Sequence, residues 1–104
     1  MTKICISAGV CGFQTEVTAQ ADDNDDVQLG ITSDCARVQR LAQALVSADA
    51  LQEISKPINE TAVYQSAGRC RLHSACPVPC GIIKAIEVAA GLALPADVQI
   101  IVSS

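Results

Sequence analysis

The chain has 104 residues, half of them apolar, with a formal net charge of −4. That size predicts a single domain, residues 1–104, with one modest core. With one Phe, one Tyr, no Trp and an acidic balance, it has neither a basic patch for phosphates nor a stacking platform for bases, which excludes nucleic acid.

No run approaches the roughly twenty apolar residues needed to span a bilayer, so a membrane is excluded as well. Met1–Ser7 lacks the long apolar core of a signal peptide, and the expectation is a cytoplasmic protein. In that compartment thiols stay reduced. Six cysteines then point to metal binding or redox chemistry before disulfides. A core built from Ile, Val, Leu and Ala would also gain from a metal or a subunit contact.

Lys3–Ser7 alternates, with Ile4 and Ile6 on one face and Cys5 on the other, and predicts a first strand. Gly9-Val10-Cys11-Gly12 follows as a glycine-flanked loop in which backbone can approach a bound atom. From Phe13 to Ala21 the period is again two: Phe13, Thr15, Val17 and Ala19 face one way. Asp22–Asp26 is a polar turn, and Val27, Leu29 and Ile31 return as the second arm of a hairpin. The acidic run lacks the spaced ligands, mid-loop glycine and closing glutamate of a calcium loop.

Ser33 and Asp34 suit an N-cap, and Val38, Leu41, Ala42 and Leu45 form the apolar stripe of a helix that begins near Cys35. At a helix start the free N–H groups and the dipole favour an anion such as a thiolate. Leu51 and Ile54 suggest a helical turn packed on the core and closed by Pro57, and Thr61–Ala67 another short helix. Gly81–Ala90 predicts a helix with Ile82, Ile83, Ile86, Ala89 and Ala90 buried, Pro79 in its first turn and Gly91 just past its end. Val98, Ile100 and Val102 suggest a fourth strand. The fold class expected is α+β, a three- to four-stranded antiparallel sheet with helices packed on one face.

The segment Cys70–Gly81 holds three of the six cysteines and the lone histidine, His73. Cys76 and Cys80 project from one face if the turn between them is already helical, and two prolines limit the entropy lost on fixing them. Cys70 can reach the same place. The spacing is neither the paired CxxC of a zinc ribbon nor a thioredoxin motif. Cys11 and Cys35, each beside backbone donors, would supply the other wall of a shared site. Soft sulfur ligands select iron–sulfur clusters, zinc or copper(I). Cys5 is the natural candidate for a plain buried thiol.

A glycine-flanked cysteine before a hairpin, a cysteine at the next helix start, then Leu72-His73 through Cys76 before the helix Ile82-Ile83-Lys84-Ala85-Ile86-Glu87: this order resembles the iron–sulfur scaffold proteins of the IscU and NifU N-terminal type. Ser74-Ala75-Cys76-Pro77 is also similar to the signature of the small TSCPD domains. The scaffold resemblance implies its fold and a cluster site. It departs at Phe13, where scaffolds carry an aspartate associated with cluster release. It departs again at His73, three residues before Cys76 rather than next to it, and Cys5, Cys70 and Cys80 have no scaffold counterpart.

The function expected is iron–sulfur cluster binding (4Fe-4S or 2Fe-2S) for electron transfer or for cluster holding and transfer, without catalysis. Cys11, Cys35, Cys76 and Cys80 are the expected ligands, with Cys70 and then Cys5 as replacements. The expected partner is a redox or cluster-client protein, and a homodimer sharing a cluster is compatible with the sequence. Two other classes remain: a structural-zinc interaction module and a thiol-based sulfur carrier.

Overall fold

Strict alternation along three consecutive segments builds most of the sheet. The computed structural model describes residues 1–104. Strands β1 (Thr2–Ser7), β2 (Gln14–Ala21) and β3 (Asp26–Ser33) are followed by α1 (Ala36–Ala44), β4 (Ser47–Asp49), α2 (Ala50–Ser55), a 3₁₀ turn (Ile58–Glu60), α3 (Ala62–Arg69) and α4 (Val78–Ala89). The four strands lie in sequence order, each antiparallel to its neighbour. Ile4 faces Val17, which faces Ile31, and Ile6 faces Thr15. This register puts Ile6, Thr15, Val17, Ala19 and Val27 in the interior. Lys3, Cys5, Glu16, Gln20, Gln28 and Thr32 are left on the open face. One buried face and one wet face is what period-two patterning produces in an antiparallel sheet. The architecture is α+β, with the helices on one face.

The acidic hairpin tip serves its own turn. The Asp22 carboxylate accepts N–H bonds from Asn24 (2.8 Å) and Asp26 (3.1 Å), and Asp25 takes a left-handed conformation with φ 60°. Short side chains that bond to nearby backbone are the reason Asp and Asn collect in such turns.

The fourth strand is not the one the alternation of Val98, Ile100 and Val102 suggests. Those residues are exposed and outside any strand, and Ser47–Asp49 takes the fourth place beside β3. Ala48 alone of these three is buried, so β4 is too short to leave a period in the sequence. A second expectation also changes. Leu51 and Ile54 of α2 are exposed, and Ala50 and Glu53 are the residues this helix buries.

Over the sheet, α1 packs on β3 and α4 on β1 and β2, with α3 touching both helices. Val38, Leu41 and Leu45 of α1 and Val78, Ile82, Ala85 and Ile86 of α4 close the core. Gly81 sets how near α4 comes to the sheet: a Cβ there would lie 2.8 Å from Cγ1 of Ile6. Pro79 occupies the first turn of α4, and Gly91, at φ 74°, ends the helix in the left-handed conformation a side chain resists. No helix is long and apolar enough to cross a membrane.

Candidate functional site

Three connections enter the same end of the sheet. Ser7 pairs with Gln14 and Thr15 with Ser33, so the β1–β2 loop and the β3–α1 junction are side by side. The packing of Gly81 on Ile6 brings the start of α4, and the α3–α4 connection that leads into it, to that end too. Cys11, Cys35, Cys70 and Cys76 are carried on these three connections.

Cys11 is exposed in a tight turn whose two glycines adopt φ 86° (Gly9) and φ 74° (Gly12); the Gly12 N–H donates to the Gly9 carbonyl at 2.9 Å. Only glycine takes such angles freely, so the loop's shape is written into its sequence. Cys35 is the N-cap of α1, where Ser, Thr, Asp or Asn is the ordinary choice. Its side chain makes no capping hydrogen bond. The Cys35 N–H donates to Ser33 Oγ (3.1 Å), and that oxygen also receives the Thr15 hydroxyl (2.8 Å). The thiol is thus left free on a junction held by neighbouring hydroxyls.

Cys70 caps the C-terminus of α3, and its carbonyl accepts a bond from the Arg40 guanidinium at 3.3 Å, tying the connection to α1. Arg71, at φ 57°, and the Leu72 N–H bond to the Ala67 carbonyl (3.0 Å) reverse the chain. Cys76 closes a second turn, its N–H donating to the His73 carbonyl at 2.9 Å, while His73 itself is exposed. Cys35, Cys70 and Cys76 are half-buried and pack against one core cluster.

The other two cysteines point elsewhere. Cys5, expected as a plain buried thiol, is instead exposed, opposite Glu16 on the open face of the sheet, because the inward positions of β1 are Ile4 and Ile6. Helix α4 begins at Val78, so Cys76 precedes it and does not share a helical face with Cys80. Cys80 is exposed and lines an open groove with Ile54, Ile58, Tyr64 and Ile83. All six thiols are free, and no three His, Cys, Asp or Glu side chains converge in an arrangement that could hold a metal ion.

Tyr64 is a residue that the reading of the sequence passed over. Burial, and secondarily the charge of Cys80, hold its hydroxyl above the usual tyrosine range. A folded-state pKa above the unfolded one contributes stability that is full below the unfolded pKa and is lost as pH rises through the folded one. Because it is the lone tyrosine and there is no tryptophan, ultraviolet absorbance reports its ionisation directly. Cys80→Ser is expected to lower the midpoint part of the way, since burial remains; an unchanged midpoint would show that the thiol and the phenol do not sense each other.

Fold and thiols together define a small cysteine-rich α+β domain in which four of the six cysteines sit on connections, with Cys5 on β1 and Cys80 in α4. The chain belongs to the Family of unknown function (DUF6951), which it matches over residues 2–102. No curated protein and no solved structure matches it.

Proposed function

We propose that the protein binds an iron–sulfur cluster through Cys11, Cys35, Cys70 and Cys76, for electron transfer or for holding a cluster and passing it to a client protein. The observation that supports this is the restriction of these four thiols to three connections at one end of the sheet, three of them half-buried against the core. Thiolate sulfur is the donor that iron–sulfur clusters require. When bound, the cluster supplies one-electron chemistry or transferable iron and sulfide.

The chain's own residues prepare the ligands. Gly9 and Gly12 shape the Cys11 turn, Ser33 and Thr15 hold the backbone of Cys35, and Arg40 anchors the carbonyl of Cys70. No three of these sulfurs converge, so the proposed binding requires the connections that carry them to rearrange, which costs less than opening helices or strands. The scaffold resemblance belongs to this proposal. Phe13, in place of the scaffolds' aspartate, favours holding a cluster over releasing it. A reducing compartment such as the cytoplasm suits free thiols.

A second reading, a thiol-based sulfur carrier, is favoured by the exposure of Cys11 on a glycine-bounded turn. Anaerobic purification followed by iron and sulfide quantification tests the first reading. Brown protein with stoichiometric iron and sulfide is the expected result. Colourless protein with stoichiometric zinc, or metal-free protein that gains sulfur mass and loses it to reductant, would replace it with structural zinc or the carrier.

A further inference from the structure

Val98-Gln99-Ile100-Ile101-Val102 follows α4 and belongs to none of the packing described above. Val98 is 58% exposed, and Ile100, Ile101 and Val102 are each above 80%. No backbone hydrogen bond outside regular structure involves this segment, and it is part of no helix or strand. A run of β-branched residues without charge or proline has the composition of a strand, and in the open it is a pairing hazard.

The sheet offers one matching vacancy. β1 bonds only to β2, so one side of its six-residue backbone is unpaired, whereas the other edge strand, β4, has three residues. Edges are commonly blunted by a bulge, a proline or an outward lysine. β1 pairs with β2 in unbroken register and contains no proline. Its one lysine, Lys3, is drawn sideways to Glu16 on β2 at 3.2 Å. Ile4, an inward residue beside that edge, is only half-buried.

We propose that Val98–Val102 is a donor strand that pairs with the free edge of β1 in a second copy of the chain, each copy giving and receiving one strand. Donor and acceptor are present once in every chain, so reciprocal exchange closes as a two-fold dimer and leaves no open edge of length. A segment of five residues spans about 17 Å, close to the length of β1. The six residues Leu92–Asp97 extend at most about 20 Å, which lets the donor leave its own body. With Val98, Ile100 and Val102 turned toward the helices, they cover Ile4 and continue the apolar row of the inner face. Gln99 and Ile101 then share the open face with Cys5.

The experiment is light scattering on the full chain, with Ile100→Pro and Ile100→Lys as variants. The expected result is a dimer for the parent chain and a monomer for both variants, with the helical far-ultraviolet circular dichroism signal kept because residue 100 is in none of the helices. A parent chain that stays monomeric at high concentration overturns the proposal, as does a dimer that survives both variants. Oxidation of Gln99→Cys and Ile101→Cys locates the contact. A disulfide-linked dimer that disappears when Cys5→Ser is added supports pairing with β1 of the partner. A Cys5-dependent disulfide within a monomer assigns the strand to its own β1 and overturns the exchange.

Discussion

Replacing Glu53 with alanine is expected to lower stability by about 2–4 kcal/mol, one of the largest effects available to a single change in this fold. Glu53 is 4% exposed, although its helix, α2, shows most of its other side chains to solvent. Its carboxylate accepts the Ala62 N–H at 2.8 Å and the Val63 N–H at 3.4 Å, at the start of α3. Thr61 Oγ1 accepts the next donor, the Tyr64 N–H, at 3.1 Å and donates its own proton to the Ile58 carbonyl. Three N–H groups that a helix start leaves unpaired are thereby satisfied, and the negative charge sits where the helix dipole favours it. Removing the carboxylate strands the Val63 donor in the interior and opens a cavity. For a domain of this size the loss corresponds to a fall in melting temperature of roughly 10–25 °C. Glu53→Gln keeps the shape and one acceptor but turns an NH₂ toward a donor, so about half the loss is expected. Denaturant midpoints at constant slope measure both. A loss for Glu53→Ala below about 0.5 kcal/mol would mean that water replaces the carboxylate. The consequence reaches the thiols, because α3 delivers Cys70 at its far end.

The two sides of Glu53 also show what a sequence can and cannot display. The strands β1 to β3 and helices α1 and α4 were legible because each repeats its own period over six or more residues, and the side chains that define the period are the ones the core buries. The short elements carry no such record. β4 is identified by pairing with β3, a non-local event, and its three residues Ser47-Ala48-Asp49 contain one inward side chain. α2 inverts hydropathy, burying Glu53 and exposing Leu51 and Ile54. The two backbone donors that satisfy the buried carboxylate lie nine and ten residues further along the chain, beyond the reach of any local pattern. Val98–Val102 misled for the opposite reason: it has a strand's alternation but is paired with no strand. The cysteines were legible as residue types, and the placement of Cys11 and Cys35 at the end of the sheet where α4 starts follows from topology. What spacing could not give was direction. Cys76 and Cys80 look like one helical face, but α4 starts between them, and Cys80 turns to Tyr64.

Direction is also what a serine series would read. Cys35→Ser and Cys76→Ser are expected to reduce bound iron and sulfide to background, with Cys70→Ser and Cys11→Ser close behind, while Cys5→Ser and Cys80→Ser retain the parent content. Serine nearly preserves the volume of cysteine but is a poor partner for the soft metals that thiolate selects. The comparison of Cys70 with Cys80 is the sharpest, because they are separated by burial and by facing: one is half-buried against the core and the other is exposed in the Tyr64 groove. Loss in Cys80→Ser with retention in Cys70→Ser would sink the assignment and return the ligand set to the i, i+4 pair. Cys35→Ser carries its own control against a structural explanation. Residue 35 is the N-cap of α1 with extended backbone (φ −79°, ψ 123°) and an unused side chain, and serine is a far better cap than a residue that makes no capping bond. The metal-free variant should therefore gain about 0.5–1 kcal/mol by capping an N–H of the first turn. Iron content and apo stability then move in opposite directions. A thiol that served only to pack the junction would lower both or neither, and a ligand at a capping position is the arrangement that separates them.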